Sequence, residues 1–218
     1  MCCDFLQMNS GRRRIMNNFL LDKEAILNAA EDVIRKYGPA KTNLTDIAKA
    51  LKVSHAALYR HYDNKAQLFE EVAERWLNTI SLPLASIVKE TYPPELKLKS
   101  YLETLCRIKR QNAMDDPEMF ENYSALTAAS ERVLSKHTEH LFEQLESIIK
   151  QGIHTKVLID QNPRQLAIAI FTATTRFHYP AFVSEWSDTQ IDVKVNSVIE
   201  ICIRGIEQKN QPTSTPGC

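Results

Sequence analysis

The sequence contains few residues that break helices or form covalent frameworks. Gly occurs 5 times in 218 residues, and outside the C-terminal tail no run alternates β-branched and polar residues between turn signals. This pattern predicts an all-α fold. The 5 Cys show no CxxC spacing, which argues against a disulfide scaffold or a zinc knuckle and favours a reducing compartment.

The chain also lacks the signals of membrane and secreted proteins. No apolar run approaches the roughly 20 residues of a membrane span, and the N-terminus has no apolar signal-peptide core. We therefore expect a cytoplasmic protein without a membrane partner.

Catalytic motifs are absent as well. We find no nucleophile motif, no Gly-rich phosphate loop and no pair of carboxylates with a neighbouring base, so we expect neither an enzyme nor a bound cofactor. Lys+Arg and Asp+Glu both number 27, which argues against a chain that coats nucleic acid. Between Arg35 and Lys65, however, seven basic residues stand against two acidic ones. Such a local basic excess fits a confined phosphate contact.

Residues 45–65 have the pattern of two short helices joined by a tight turn. We expect Thr45 to cap the first helix and Ser54 to cap the second. In the second helix, Leu58 and Tyr62 lie four residues apart and should face inward.

A different face of the second helix carries His55 and Tyr59, with small alanines beside them. Small residues allow a close approach, and these side chains are donors suited to phosphates and base edges. A helix, a short turn and a second helix with an exposed face form a helix-turn-helix, whose second helix enters the DNA major groove. The alternative is an ordinary helical hairpin with surface histidines.

The segment IAKALKVSHAALYRHYDNKAQLF also resembles the signature of TetR-type regulators. The matching positions are Ile47-Ala48, Val53-Ser54, Leu58-Tyr59, His61-Tyr62 and Lys65. The resemblance covers roughly residues 23–75. One position departs from the family: Lys52 stands where Gly usually precedes the Val. The turn must therefore avoid positive φ or carry some strain.

The resemblance implies an N-terminal three-helix DNA-binding module, followed by a C-terminal helical domain for ligand binding and dimerisation. We place a flexible extension at 1–21, the helix-turn-helix domain at 22–66, the regulatory domain at 67–209 and a disordered tail at 210–218. Arg12, Arg13 and Arg14 form either an arm on DNA or a solvated tail.

The apolar pattern predicts the helices as follows. The first runs from about 22 to 37 and ends at Gly38-Pro39. A connector helix begins near Lys65, and Pro83 should kink or end it. Further helices are expected at about 94–114, at 163–179 and at 188–207, the last capped by Asp188. Between the first two of these, one helix should begin at 117 and a longer one should follow it and end at about 153.

The family resemblance implies a palindromic double-stranded DNA operator and a repressor. Lys65 and Tyr59 match phosphate-binding positions, with Thr42 and Thr45 assisting, and base contacts are expected near the start of the second helix. The full set of expected DNA contacts is Thr42, Thr45, Lys52, Ser54, His55, Ala56, Ala57, Tyr59, Arg60, His61 and Lys65.

The same resemblance implies a homodimer formed through the last two helices. Its expected interface comprises Ile191, Val195, Val198, Ile199, Cys202 and Ile206.

A small apolar effector is expected within the C-terminal helices. The motivating aromatic residues are Tyr101, Phe120, Tyr123, Phe171, Phe177 and Tyr179, with Arg176 and His178 as polar anchors. The competing interpretation is that these aromatics only fill the core, which would leave a ligand-independent DNA-binding protein.

A metal-responsive regulator is a further alternative, because His137 and His140 share one helix face. Their Ser, Lys, Thr and Glu neighbours favour a solvated surface, so we expect no metal site.

Overall fold

The computed structural model describes residues 22–208, and in this range it confirms the all-α fold. Two isolated backbone partners, Leu158 and Glu207, form a bridge but no strand. The predicted arginine arm at 12–14 and the predicted tail at 210–218 lie outside the described residues. None of the helices within 22–208 is both long and apolar enough to span a membrane.

The helices follow one another in a simple order. They are α1 (Lys23–Lys41), α2 (Leu44–Ala50), α3 (His55–Tyr59), α4 (Lys65–Lys89), α5 (Pro94–Asp115), α6 (Pro117–Ala128), α7 (Glu131–His154), α8 (Pro163–Thr174) and α9 (Ile191–Ile206). Two 3₁₀ turns, Thr175–Phe177 and Pro180–Glu185, separate α8 from α9.

The chain divides into two compact units. Unit 1 comprises residues up to Trp76 together with Glu118–Val133, and unit 2 comprises Leu77–Pro117 and the residues from Leu134 onward. The division differs from the expected boundary at residue 66, because α6 groups with the N-terminal helices and α4 runs across the division.

In unit 1, α1 begins at an Asp22 cap whose carboxylate accepts from the Ala25 amide at 2.7 Å. The helix bends where Gly38 adopts φ 73°, a conformation that favours glycine. Its apolar face is buried, and α1 packs on α2, which in turn packs on α3.

The caps of α2 correct one expectation. Asn43, rather than Thr45, is the N-cap, and its side chain accepts from the Asp46 amide at 3.0 Å. At the other end, Val53 and Lys52 donate backbone hydrogen bonds to the carbonyls of Ala48 and Lys49. This is the Schellman arrangement, which needs a left-handed residue after the helix. Lys52 supplies it with φ 56°, so the turn does carry strain.

In unit 2, α9 packs on α5 and α8. Three helix ends differ from the expectation. First, of the two outcomes expected at Pro83, a kink or an end, the helix end is not found, because α4 continues to Lys89. Second, α8 ends at Thr174, five residues early, because the chain tightens into a 3₁₀ turn. Third, α9 begins at Ile191 after a Gln190 cap, so Asp188 lies outside the helix and accepts from the Gln190 amide at 2.8 Å.

Candidate nucleic-acid interface and effector region

The short helix α3 is buried on one side and exposed on the other. The Ser54 hydroxyl accepts from the Ala57 amide at 3.2 Å and so fixes the start of the helix, as predicted. Leu58 and Tyr62 are buried, which anchors the helix on the core of unit 1. A helix whose inner face is held rigidly can present its outer face to a large ligand.

On the exposed side, the rings of His55 and Tyr59 lie 4.6 Å apart, edge to face. This contact confirms that the two share a surface, and it limits the rotamers of both. Most of the expected DNA contacts are also exposed: Thr45, Lys52, Ser54, His55, Ala56, Tyr59 and Arg60. His61 and Lys65 are partly exposed.

Two residues of the expected DNA-contact set lie elsewhere. Thr42 is 1% exposed, and its hydroxyl donates to the Gly38 carbonyl at 2.8 Å, while its amide bonds the same carbonyl. Both of its donors close the bend after α1 and are not available to a phosphate. Ala57 is buried against the core, so its methyl group cannot meet a base.

Lys65 is held in place before any partner arrives. Its ammonium donates to the Pro39 carbonyl at 2.9 Å and lies 4.8 Å from the centre of the Phe69 ring. An ammonium carries three donors, so the partly exposed group retains capacity for a phosphate.

The expected effector residues do not form one group. Phe120 and Tyr123 belong to unit 1, where both contact Trp76: the Tyr123 ring stacks at 5.1 Å and the Phe120 ring meets it edge-on at 5.9 Å. Their aromatic contacts are therefore internal to unit 1, and we do not retain them as ligand contacts.

In unit 2, Tyr101 is fully buried, and its hydroxyl donates to Gln144 Oε1 at 2.9 Å. Phe177 and His178 are buried, and the His178 ring lies 4.5 Å from the ring of Phe171. Tyr101, Phe177 and His178 are thus interior to unit 2, and Phe171 is half-buried beside His178.

Arg176 and Tyr179 are exposed instead. The Arg176 guanidinium pairs with both carboxylate oxygens of Glu185, so it does not serve as a buried polar anchor.

Two interior groups of unit 2 did not enter the expected effector site. Lys109 lies on the buried face of α5, and His137 on α7 is half-buried, with its Nε2 atom fully enclosed. The sequence could have indicated this position of Lys109, because its spacing from Leu105, Cys106 and Ala113 places it on the apolar face of the helix. His137 also departs from the solvated surface expected for it.

The metal alternative gains no support. Within residues 22–208, no group of three or more potential ligands is arranged to hold an ion. His140 is exposed and hydrogen bonds Gln144. Burial, with a contribution from the positive charge of Lys109, lowers the pKa of His137, and the same charge disfavours a metal cation at that histidine.

The expected dimer residues lie mainly in the core. Ile191, Val195, Ile199 and Ile206 are buried within the chain, because this stripe of α9 packs on α5 and α8. Val198 and Cys202 are partly exposed. The outward stripe of α9 instead carries Val193 and Ile201, which are 60% and 72% exposed.

Two family models match the chain. One, described as bacterial regulatory proteins of the tetR family, matches residues 26–72. The other, described as a tetracyclin repressor-like C-terminal domain, matches residues 94–199. Together they cover more than half of the chain.

Individual proteins agree with these matches. The chain is 28% identical over 139 residues to the nucleoid occlusion factor SlmA of Idiomarina loihiensis. The aligned region covers 64% of this chain and 69% of that protein. It is 30% identical over 112 residues to the probable acrEF/envCD operon repressor of Escherichia coli K12, covering 47% of this chain and 49% of that repressor. The match thus spans about half the length of that relative.

Among solved structures, SmeT is the repressor of the Stenotrophomonas maltophilia multidrug efflux pump SmeDEF. It matches with a TM-score of 0.66 and 15% identity, over 91% of this chain and 97% of that one. SmeT has also been solved in complex with triclosan, and that structure matches with a TM-score of 0.61. The two family models, with a helix-turn-helix of this geometry, place the chain in the tetracycline-repressor (TetR) family, and it is a DNA-binding transcriptional regulator.

Proposed function

We propose that the chain is a repressor that binds a palindromic operator as a homodimer and leaves DNA when a small effector occupies unit 2. The observation that carries this proposal is the exposed face of α3, where His55 and Tyr59 pack together above a buried apolar back. An exposed face of hydrogen-bond donors on a rigid short helix suits the major groove.

Within this interface we assign separate roles to two groups of residues. Lys65, Tyr59, Lys52, Arg60 and Thr45 contact phosphates and set the position of α3 on the duplex. His55, Ala56 and His61 lie toward base edges. Because alanine offers only a methyl contact, most of the base discrimination rests on His55 and on DNA shape.

Dimerisation is supported by the outward faces of α8 and α9. Ile168 on α8 and Val193 and Ile201 on α9 are exposed large apolar residues. On α9 they alternate with the small residues Ser197 and Gly205, which are also exposed. Apolar residues beside small ones suit close packing of helices, and two-fold dimers match palindromic half-sites.

The effector is proposed to bind among buried and half-buried residues of unit 2, chiefly Tyr101, Phe171, Phe177 and His178. SmeT, whose fold this chain shares, binds triclosan in one solved structure, which supports an apolar body for the effector. To act, the ligand must bind the DNA-free state more tightly, and a tenfold preference corresponds to about 1.4 kcal/mol.

Selection of operators from a random DNA pool tests the DNA-binding role. The wild-type chain should enrich a palindrome, and His55→Ala should enrich a different motif with lower affinity. A suitable control is Lys89→Ala, because Lys89 is exposed at the end of α4 and lies outside the basic segment 35–65. If His55→Ala returned the wild-type motif, His55 would not contact bases; if no palindrome were enriched at all, the dimeric repressor would be refuted.

A further inference from the structure

Helix α3 carries two aromatic rings on its exposed face, one helical turn apart. His55 is the first residue of the helix, and Tyr59, four residues later, is 44% exposed. The ring centroids lie 4.6 Å apart, with an angle of 64° between the ring planes. Side chains four residues apart on a helix are neighbours, and aromatic pairs prefer this edge-to-face arrangement. The two exposed rings therefore form one unit before any DNA is bound.

The polar atoms of the pair remain available in this arrangement. No hydrogen bond within residues 22–208 occupies the imidazole of His55 or the hydroxyl of Tyr59. An imidazole can donate to a base edge or accept from one, and a phenol can donate to a phosphate oxygen. The contact between the rings thus restricts the rotation of the imidazole without using its hydrogen-bonding capacity.

The neighbours of His55 in the sequence do not restrict its ring. The Ser54 hydroxyl is engaged as the N-cap, where it accepts from the Ala57 amide at 3.2 Å, and Ala56 offers only a methyl group. An exposed side chain that becomes ordered on binding loses part of the binding free energy. Only the correct base requires a fixed imidazole, so a freely rotating His55 would weaken binding to the operator more than binding to other DNA.

We propose that Tyr59 is a positioning residue for sequence recognition: its ring holds the His55 imidazole in the orientation that contacts a base, while its hydroxyl contacts a phosphate. This inference rests on the proposed function, because it explains how the His55 contact of that function gains its specificity. A phosphate contact fixes Tyr59 on the duplex, and the ring contact then fixes the imidazole in the groove. The position on the backbone and the recognition of the base thereby depend on one side chain.

Two substitutions of Tyr59 separate the ring from the hydroxyl. Tyr59→Phe keeps the ring and removes the hydroxyl, whereas Tyr59→Leu removes both. The quantity to measure, by fluorescence anisotropy with the full-length chain, is a specificity ratio. It compares the affinity for the selected operator with that for an operator changed at the base pairs whose preference depends on His55.

Tyr59→Phe should weaken binding to both DNAs alike and leave the specificity ratio within about twofold of wild type. Tyr59→Leu should lower the ratio by about two- to tenfold, the range that corresponds to the free energy of an aromatic pair. Arg60→Ala is the matched control, because Arg60 is the next exposed residue and a proposed phosphate contact. It should weaken binding to both DNAs without lowering the ratio.

A double-mutant cycle shows whether Tyr59 acts through His55. In a His55→Ala chain there is no imidazole to orient, so Tyr59→Leu should lower the ratio no further than Tyr59→Phe does. A ratio that fell as much in this background as in wild type would show that Tyr59 discriminates bases directly, and would overturn the positioning role.

NMR of the DNA-free chain with labelled histidine tests the pair without any variant. The wild-type chain should show a nuclear Overhauser effect between the ring protons of His55 and Tyr59. Tyr59→Leu should shift the His55 ring resonances by removing the ring current, and Tyr59→Phe should change them little. Absence of the Overhauser effect would mean that the two rings are not held together in solution, and the inference would be refuted.

The outcomes distinguish this inference from the function on which it rests. An unchanged ratio in Tyr59→Leu, or an equal loss in Tyr59→Phe and Tyr59→Leu, would overturn the role of the ring. If His55→Ala still selected a different motif, the DNA-binding proposal would stand. Failure of the wild-type chain to enrich a palindrome would instead refute the dimeric repressor, while the Overhauser effect would still report on the ring pair. Melting temperatures close to wild type should accompany every variant, because both side chains are exposed.

Discussion

Helix α3 in unit 1 and helix α9 in unit 2 distribute their apolar residues in different ways. On α3, the apolar side chains of Leu58 and Ala57 are buried and the outward face is occupied by His55 and Tyr59. On α9, Ile199 is buried within the chain and Ile201 is 72% exposed, so two faces of one helix are apolar. A helix with one apolar face has one way to bury it. A helix with two such faces needs a second partner, and its sequence does not say which face meets which partner.

Substituting Asp on each face of α9 separates the core from the proposed interface, and has the largest expected effect. Ile199→Asp places a charge in a fully buried position and should lower the free energy of unfolding by several kcal/mol, about 3–5. Ile201→Asp should leave the fold intact, because the side chain is exposed, but weaken the dimer. Thermal unfolding measures the first effect and light scattering at micromolar concentration the second.

The control is Asn196→Asp, a substitution at an exposed polar position of the same helix. It should change neither property appreciably. A stable Ile199→Asp monomer would mean that the inward stripe of α9 is not core after all. An Ile201→Asp chain that remained dimeric would move the interface away from the outward face of α9.

The buried charge of unit 2 gives the next largest effect, visible as a dependence of stability on pH. Folded Lys109 releases its proton near pH 8, whereas an unfolded lysine holds it to about 10.4. Between these values the unfolded state binds more protons, so the contribution of Lys109 to the free energy of unfolding rises with pH. The shift corresponds to about 3 kcal/mol, and Lys109→Met should lack this rise and be more stable at pH 7.

The measurement is chemical denaturation of both chains from pH 7 to 10.5. Burial raises the pKa of Cys106 to about 12 and also raises the pKa of Tyr101. The contributions of these two groups to the free energy of unfolding therefore fall as the pH rises, opposite to that of Lys109. Only the difference between wild type and Lys109→Met isolates the lysine. A difference that stayed constant over this range would show that Lys109 is solvated in the folded state.

The sequence predicted unit 1 well because its information is local. The Ser54 cap, the inward Leu58 and Tyr62 and the shared face of His55 and Tyr59 all follow from spacings of three or four residues. One failure was local, since Asn43 and not Thr45 caps α2, and the others were tertiary. Thr42 lies in a sequence of good donors, but the bend at Gly38 turns it inward, and no local pattern predicts that burial.

In unit 2 the apolar stripes predicted the helices and most of their bounds, but they did not predict which elements each helix packs against. Ile191, Val195 and Ile199 form a strong stripe, which fits an intrachain core and a dimer seam equally well. The aromatic residues suggested one effector cluster, although Phe120 groups with unit 1. Lys109 was visible as a polar residue on an apolar face, yet whether such a lysine is buried depends on the helices packed against it.

A smaller effect tests the proposed phosphate contacts of unit 1. Lys65→Ala should weaken binding to all DNA sequences alike and lower the slope of log affinity against log salt by about one. Fluorescence anisotropy over a salt series measures this slope, on the selected operator and on unrelated DNA. The stability of the chain needs a parallel check, because Lys65 also bonds the Pro39 carbonyl. An unchanged slope in a folded variant would remove Lys65 from the interface.

The smallest expected effect lies in the backbone, where the two units share one feature. Lys52 with φ 56° closes α2, and Lys156 with φ 59° closes α7 through the same Schellman hydrogen bonds. A left-handed conformation costs a residue with a Cβ about 1 kcal/mol or more, and Gly avoids this cost but loses more entropy on folding. Lys52→Gly and Lys156→Gly should therefore each raise the free energy of unfolding by roughly 0.5–1 kcal/mol.

Only one of the two glycine variants should also affect DNA. Lys52 is exposed beside α3 and belongs to the proposed phosphate contacts, so Lys52→Gly should bind operator more weakly while unfolding at higher temperature. Lys156→Gly should gain stability without losing operator affinity, and it thereby serves as the matched control. Parallel measurement of melting temperature and operator affinity checks both variants. Loss of stability in Lys52→Gly would mean that Lys52 makes contacts in the folded chain worth more than the strain, and unchanged affinity would exclude Lys52 from the phosphate contacts.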